Sequence, residues 1–341
     1  MRCVVTPYLI PKSSPKTVNV GDGIILHAVE RLLGRFPREL TFSGRVLPPP
    51  AQLAVMEDCS EVILAGANQL TDDYTVWPGF DRAALARTNL KLVPVGIGIH
   101  GEASRNTGMS DATRGIVGLL HDRLAYSSWR CPRTVKYLNR SMPALRGRFL
   151  MTGCPALFDR PLLSEQRFWQ GQDVVAVTPT ERGDFWKREA AVIDFVARRF
   201  RSSRRLLVIH QDYKAAGPHQ TTRSKLASML VSDKKSALRR LAQSRGFEVV
   251  VPACADAALA LYETVDLHIG SRLHAHLHLL SQNRRSYLAK VDERITGFAE
   301  HFGFPICDPL RLDDYMDFDF EPVRERARRT FEVMSRFVDS L

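Results

Sequence analysis

One stretch in the second half of the chain combines the residue types that bind and protonate anions. Residues Asp266–Leu280 read DLHIGSRLHAHLHLL. The apolar run predicts a strand that ends near Gly270, followed at once by a helix with Ser271 as its N-cap. Arg272 and His274 then lie at the helix N-terminus, where backbone N–H groups and the helix dipole favour an anion.

These two side chains predict a site that binds an anion and supplies a proton. An arginine can hold a phosphate or a carboxylate through two parallel hydrogen bonds, worth roughly 1.5–3 kcal/mol for a charged pair. An imidazole beside the anion can donate a proton at neutral pH. The sequence therefore predicts that Arg272 binds the anion and that His274 is the general acid.

The stretch holds three histidines at alternate positions, His274, His276 and His278, which cannot all share one helix face. His274 and His278 are one turn apart and His276 points elsewhere, so a structural role is favoured for one or two of them. A zinc site on His274 and His278 is the alternative, but no carboxylate or cysteine stands at ligand spacing. We predict no metal.

Two further stretches place polar groups beside predicted strands. Asn19-Val-Gly-Asp-Gly23 opens a predicted helix, where Gly21 allows close approach of a ligand and Asp22 is an N-terminal cap or first-turn acid. Capping alone would explain Asp22, and the Gly-Lys-Ser/Thr of a phosphate-binding loop is absent. His210, Gln211 and Asp212 end a strand of the second half and would face a cleft.

The elements that position these residues alternate between strands and helices. Strands that read as continuous apolar runs between helical patterns predict parallel sheets covered on both faces. The predicted strands are Cys3–Ile10, Glu61–Ala67, Lys91–Ile99, Leu124–Ser127, Arg148–Thr152, Asp173–Thr178, Arg205–His210, Glu248–Pro252, Leu267–Gly270 and Ser286–Ala289. The predicted helices between and after them include Asp22–Leu33, Arg188–Phe200, Lys234–Arg245, Ala257–Val265 and an amphipathic C-terminal helix within Glu321–Leu341.

The pattern stops and restarts once, at Pro155–Gln172, which has two prolines and no sustained periodicity. We therefore predict two domains, an N-terminal Rossmann-like domain over 1–165 and a C-terminal one over 172–341. Two doubly wound α/β domains that face each other across a cleft would bind ligands at the carboxyl ends of their strands.

Composition restricts the class of protein further. The chain has 341 residues, of which 45% are hydrophobic, enough for two cores. The first ten residues lack the features of a signal peptide, and no apolar run is long enough to span a bilayer, so we expect a cytoplasmic protein. Its six scattered cysteines are expected to be free thiols.

The net charge of +11 predicts either anionic partners or a basic, solvent-exposed surface. Nucleic acid is the weakest candidate partner because no recognition helix, zinc finger or aromatic-basic RNA motif accompanies the charge. Small anions, peripheral contact with an anionic membrane surface and a merely solvated surface remain. The arginines concerned form two clusters, Arg198, Arg199, Arg201, Arg204 and Arg205, and then Arg324, Arg326, Arg328 and Arg329.

Taken in order along the chain, these motifs resemble those of the polysaccharide pyruvyl transferase family. The Arg-Leu-His signature is the most specific of them, and the resemblance spans about residues 15 to 305. Two departures are Cys131, where the family commonly has an aspartate after the arginine, and Cys154, in a position often held by aspartate. The matching segments are Asn19–Asp22, Val62–Gly66, Leu92–Gly98, Gly153–Ala156, Gly270–Ala275 and Asp292–Gly303.

The resemblance implies two facing Rossmann-like domains of GT-B type and transfer of pyruvate from phosphoenolpyruvate to a sugar as a ketal. It implies no metal or organic cofactor. His274 would be the acid, Arg272 would hold one anionic group, and Asp22 would orient or deprotonate the acceptor hydroxyl. The remaining substrate-binding candidates are Arg130, Ser271, Leu273, His210, Asn19, Gly21 and Arg294, which stands where the family has lysine.

Two other functions stay open at this point. A GT-B glycosyltransferase that uses a nucleotide sugar would share the architecture, with Arg272 on the diphosphate, although no convincing acidic pair for a ribose is seen in the second half. The other is a binding protein that kept the fold but lost catalytic turnover. This function stays open because Cys131 stands where the family commonly has an aspartate. The acceptor would be a sugar or a lipid-linked saccharide, for which a basic surface suits an anionic leaflet.

Overall fold

The computed structural model describes residues 1–8, 19–100, 108–164, 167–180, 183–210, 236–291 and 293–341. Within these ranges the chain is an α/β protein with parallel sheets, as the sequence predicts. None of the described helices is long and apolar enough to cross a bilayer.

The first half is built on a four-stranded parallel sheet in the order β2-β1-β3-β4. A parallel bridge between Ile97 and Trp129 joins it to the pair β5-β6. The order turns back between β1 and β3, so their carboxyl ends open a crevice. The strands are β1 (Arg2–Thr6), β2 (Thr41–Ser43), β3 (Glu61–Ala65), β4 (Leu92–Val95), β5 (Ser127–Trp129) and β6 (Phe149–Met151).

Local sequence explains where the helices of this half begin. Asn19 precedes the first helix with an extended backbone, and its side chain accepts a hydrogen bond from the N–H of Gly21. Ser110 accepts from Thr113 in the same way at the fourth helix. The helices are α1 (Val20–Leu33), α2 (Pro50–Glu57), α3 (Arg82–Ala86), α4 (Asp111–Arg123) and α5 (Pro132–Ser141).

The second half is a six-stranded parallel sheet in the order β12-β11-β10-β7-β8-β9. This is the doubly wound order of dinucleotide-binding folds, with its switch point between β7 and β10. The strands are β7 (Val174–Thr178), β8 (Arg204–Val208), β9 (Glu248–Val250), β10 (Leu267–Gly270), β11 (Arg285–Ala289) and β12 (Ile306–Cys307). The helices are α6 (Arg160–Leu163), α7 (Trp186–Arg199), α8 (residues 236–244), α9 (Ala255–Glu263), α10 (Leu273–Ser281), α11 (Glu293–Phe302) and α12 (Glu321–Asp339).

The two halves of the chain share one hydrophobic core. One buried cluster takes residues from both sheets, among them Ile63 of β3 and Val177 of β7. Helix α12 packs back over the junction, with the rings of Phe158 and Phe331 5.4 Å apart. In the sequence, the strands of the first half all precede the predicted boundary segment, and the strands of the second half all follow it. The division into domains at 165–172 stays a prediction.

The ten predicted strands all overlap observed strands, but with one clear error of position. We predicted a strand over Leu124–Ser127, whereas β5 begins only at Ser127, because α4 runs to Arg123 and the chain needs residues to turn. Two strands, β2 and β12, were not predicted. They have three and two residues, too few to show a hydrophobic pattern.

Members of both arginine clusters contact other parts of the fold. Arg204 pairs with Glu248, and Arg205 donates to the carbonyl of Ala197. On α12, Arg328 donates to the backbone carbonyls of Leu163 and Ser164 at the end of α6. These arginines therefore bind other parts of the fold, and peripheral membrane contact stays a prediction.

Four buried histidines of the second half make folding sensitive to acid. Burial lowers the pKa of His210 and His268 to about 3 and of His278 to about 4, and it holds the pKa of His276 well below its ordinary value. Below about pH 6.5 the unfolded chain binds protons that the folded chain does not. Stability is therefore present above that pH and is lost as the pH falls towards 4.

We expect the free energy of unfolding to fall by up to about 1.4 kcal/mol per pH unit for each such histidine. Urea titrations followed by circular dichroism between pH 7.5 and pH 5 measure this slope. His278→Asn removes one of the four groups and should give a shallower slope. Equal slopes in the wild type and the variant would contradict the assignment.

Candidate functional site

The predicted anion site lies at the switch point of the second sheet. Strand β10 ends at Gly270, and α10 begins at Leu273 with Arg272 in the N-cap position. The backbone of Arg272 is extended and its side chain makes no cap hydrogen bond. Its Nε instead donates to the carbonyl of Pro179, just beyond β7, over 3.0 Å. The guanidinium is thus fixed between the two strand ends that flank the switch point.

Ser271 does not cap α10, which corrects the prediction. Its backbone N–H donates to the carbonyl of Thr178 over 2.8 Å, and its hydroxyl donates to Oε1 of Glu189 over 2.6 Å. The hydroxyl is therefore turned towards α7 and away from the first turn of α10. A partner so distant in sequence could not be read from the local pattern.

Gly270 allows β7 and β10 to approach closely at this point. A methyl group at Gly270 would lie 2.5 Å from the hydroxyl oxygen of Thr178 and 2.6 Å from its carbonyl oxygen, a clash with backbone that cannot move away. The glycine of the Gly-Ser-Arg-Leu-His motif is thus explained by packing. It brings Ser271 and Arg272 directly against the end of β7.

The N-terminus of α1, from the opposite half, meets the N-terminus of α10. A methyl group at Gly21 would lie 3.2 Å from Nδ1 of His274 and 3.7 Å from its Cβ. The N–H of Val20 also donates to the carbonyl of His210, over 3.3 Å. The structure therefore brings the two sequence motifs that we singled out into one site.

Asp22 lies in the first turn of α1 and is 7% exposed. Burial raises the pKa of its carboxyl group, and the positive charges of Arg45 and Arg272 act in the opposite direction. Arg45 is the direct partner, 3.1 Å from Asp22 Oδ2, and is itself held by the carbonyl of Pro7. Arg45 is not among the predicted site residues, because it follows β2, a strand of three residues that is too short to recognise in the sequence.

A polar cleft of about 570 Å³ opens at the carboxyl ends of β1 and β3, beside Asp22. Its floor includes the loop after β3, where Gly66 and Ala67 both have positive φ, 53° and 72°. A positive φ is strained for alanine, and such strain is found in loops that shape ligand sites. The polar lining residues are Asn19, Asp22, Arg45, Asn68, Gln69, Thr75 and His100.

Several other predicted site residues have different surroundings. Arg130 is 2% exposed, and its guanidinium carbon lies 5.4 Å from the ring centroid of Phe298 on α11. His210 is buried and bonded to the hydroxyl of Tyr262. Its low pKa keeps the ring neutral, so it contributes packing and a backbone carbonyl. Leu273 begins α10 beside the site.

Three of the predicted residues lie wholly or partly outside the described part of the chain. Gln211 and Asp212 lie outside the described residues. Arg294 falls in the first turn of α11, but its side chain lies outside the described part. The predicted roles of Arg130 and Arg294 in binding an anion stay predictions.

The other two histidines of the motif, His276 and His278, are buried, and the helical period favours a structural role for one or two of the three. His276 Nδ1 lies 2.8 Å from the hydroxyl of Ser286, which also contacts His268. His278 is buried against Tyr262, their ring centroids 6.0 Å apart. Among the described residues, no group of three histidine, cysteine or acidic side chains is arranged to hold a metal ion.

No protein-family model and no curated protein sequence matches the chain. Solved structures do. UDP-GlcNAc 2-epimerase from Neisseria meningitidis, bound to UDP-GlcNAc, matches with a TM-score of 0.54 at 9% identity over 100% of both chains. MnaA of S. aureus in complex with UDP matches with a TM-score of 0.51 at 10% identity, over 96% of this chain and 91% of its own.

The chain has the GT-B fold. This confirms the predicted architecture of two Rossmann-like halves, and at such low identity the likeness extends to the fold alone. In this GT-B chain the carboxyl ends of both sheets carry the polar groups described above, with Asp22 on one side and Arg272 on the other. The helix N-termini of α1 and α10 form the contact between them.

We expect Gly21→Val to impair ligand binding by displacing the ring of His274. The added Cβ would lie 3.2 Å from Nδ1 of His274 and 3.2 Å from the side-chain oxygen of Asn19, so both groups must shift, and the melting temperature reports any loss of the Asn19 cap. Gly118 of α4 has open space around it, so Gly118→Ala is the matched control. Ligand binding and melting temperature measured on both variants test this. Unchanged ligand binding in Gly21→Val would contradict the role given to this contact.

Proposed function

We propose that this GT-B chain is a transferase that binds an anionic donor at the N-terminus of α10 and a saccharide acceptor in the cleft beside Asp22. The donor that fits the residue set best is phosphoenolpyruvate, with pyruvate transferred to the acceptor as a ketal. The observation that carries the proposal is the contact of His274 with Gly21. It joins an anion-binding arginine, an imidazole and a carboxylate in one site.

The charges and chemistry of phosphoenolpyruvate suit the donor side. It carries a phosphate and a carboxylate on a small skeleton, so its site needs fixed positive groups. Arg272 and the N–H groups of the first turn of α10 would hold one anion, where the helix dipole adds attraction. The hydrogen bond from Nε of Arg272 to the carbonyl of Pro179 fixes the direction of the guanidinium at this end of the sheet.

The reaction would proceed in two additions. His274 donates a proton to the methylene carbon, which leaves the adjacent carbon electron-poor enough for an acceptor hydroxyl to attack. Asp22 takes the proton of that hydroxyl, and burial suits this role because it brings the pKa of the carboxyl group closer to neutral pH. Phosphate then leaves, and the second hydroxyl attacks the same carbon to close the ketal ring, giving its proton to His274, while Asp22 loses its proton to the departing phosphate.

A nucleotide-sugar donor is the second candidate, and a separate observation favours it. The two structures reported above are bound to UDP-GlcNAc and to UDP. In this case Arg272 and the start of α10 would hold the diphosphate, and Asp22 would still face the acceptor. The two donors differ in their anionic groups and in the nucleoside, so binding assays separate them.

The test compares both donors on the same protein samples. We expect phosphoenolpyruvate to raise the melting temperature and to release phosphate when a matching saccharide or lipid-linked acceptor is present. Arg272→Ala and His274→Ala should each abolish release. Arg329→Ala, on the exposed face of α12, is the matched control and should behave as the wild type.

Other outcomes of this comparison are informative. A melting shift with UDP-sugars and none with phosphoenolpyruvate would overturn pyruvyl transfer and favour the nucleotide-sugar enzyme. A shift with phosphoenolpyruvate but no phosphate release with any acceptor would favour a binding protein that lacks turnover. Phosphate release that persists in Arg272→Ala would show that the donor binds at a place other than Arg272.

Asp22→Asn should separate binding from turnover. The amide keeps the size of the side chain but cannot accept the hydroxyl proton, so we expect kcat to fall by about 10²-fold or more. Donor affinity, measured by calorimetry, should change little. Loss of donor affinity without a change in kcat would contradict the assignment of Asp22 to the acceptor side.

A further inference from the structure

Glu189 is a buried carboxyl group at the donor site that sequence analysis did not single out. It lies in the first turn of α7 and is 2% exposed. Its Oε1 accepts the hydroxyl of Ser271 over 2.6 Å and the backbone N–H of Thr180 over 3.1 Å. One carboxyl oxygen thus connects the segment after β7 to the segment after β10, and Arg272 follows directly in the second of them.

The other carboxyl oxygen has different surroundings. Oε2 is fully buried and has no hydrogen-bond partner among the described residues. Burial of an ionised carboxylate with an oxygen that has no hydrogen-bond partner is unfavourable, and a protonated carboxyl group avoids most of that cost. Burial accordingly raises the pKa of Glu189 to about 7, despite the opposing hydrogen bonds of Ser271 and Thr180.

We propose that Glu189 is a positioning residue of the donor site that acts in its protonated form. It would hold Ser271 and Thr180 in place around Arg272 while adding no negative charge beside the bound anion. The proposal rests on the proposed function only in requiring an anionic donor, and it applies equally to phosphoenolpyruvate and to a nucleotide sugar.

The charges around Glu189 set the direction of the effect. Arg188, on the same helix, favours ionisation, and Arg272 lies beyond Ser271 at the start of α10. The neighbours from β7 and β10, Thr180 and Ser271, are uncharged donors. Residues 181 and 182 lie outside the described part of the chain. When the pH rises through about 7, Glu189 ionises and repels an incoming anion.

The test is anion affinity as a function of pH. Calorimetry with phosphoenolpyruvate and with UDP, at pH 6.0 and pH 8.5, compares the wild type with Glu189→Gln. Titration of the ligand is common to both proteins, so the ratio of their affinities reports the effect of the substitution at Glu189. We expect a ratio near one at pH 6.0, and wild-type affinity about tenfold lower than that of the variant at pH 8.5.

Controls separate this effect from loss of structure. Glu263→Gln, at the exposed end of α9, should follow the wild type at both pH values. A ratio that is the same at both pH values would overturn the proposal, whether Glu189→Gln binds well or poorly. If Glu189→Gln does not fold, Ser271→Ala takes its place. The hydrogen bond of Ser271 stabilises the ionised form of Glu189, so without it Glu189 ionises at a higher pH. The fall in anion affinity should therefore occur at a higher pH in Ser271→Ala.

A measurement without ligand keeps this proposal separate from the proposed function. Glu189 has a higher pKa in the folded chain than its ordinary value of 4.5, so its stabilising effect is complete below that value and is lost as pH rises through about 7. Urea titrations should show the wild type losing stability relative to Glu189→Gln over this range. If this trend is seen but no anion binds, the donor site is rejected and protonated Glu189 is retained. If the difference in stability between the wild type and Glu189→Gln is the same at every pH, protonated Glu189 is rejected.

Discussion

The site depends on the close contact of two helix N-termini from opposite halves of the chain. Gly21 of α1 has no side chain, and the ring of His274 on α10 occupies the adjacent space. Both helices begin on the side of their sheets where the strands have their carboxyl ends, so their N-termini, the positive ends of the helix dipoles, meet there. A side chain at position 21 would press on the ring of His274 and on the side-chain oxygen of Asn19, and both would have to shift.

Two buried carboxyl groups flank this contact, and their surroundings give them different properties. Asp22 has Arg45 as a direct partner and Arg272 nearby, which oppose the effect of burial and favour the ionised form. Burial favours the protonated form of Glu189, and the hydrogen bonds that one of its oxygens accepts from Ser271 and Thr180 oppose this only in part, while the other oxygen has no partner among the described residues. One carboxyl group is therefore suited to accept a proton, and the other to stand beside an anion.

The sequence predicted the parts of the site that depend on local pattern. Apolar runs identified the central strands, and the Arg-Leu-His motif placed Arg272 and His274 at a helix start, because strand end and helix N-terminus are local signals. The hydrogen bonds between distant segments could not be predicted. Ser271 bonds to Glu189 instead of capping α10, and Arg45 reaches Asp22 from a loop after a strand too short to recognise.

In the proposed function an anionic donor binds at the N-terminus of α10. A crystal structure of the protein grown with phosphoenolpyruvate would show where this ligand binds. We expect its phosphate or its carboxylate within hydrogen-bond distance of Arg272 and of the first N–H groups of α10, with the methylene carbon facing His274. Phosphoenolpyruvate bound at another place, with Arg272 still bonded only to protein groups, would contradict it.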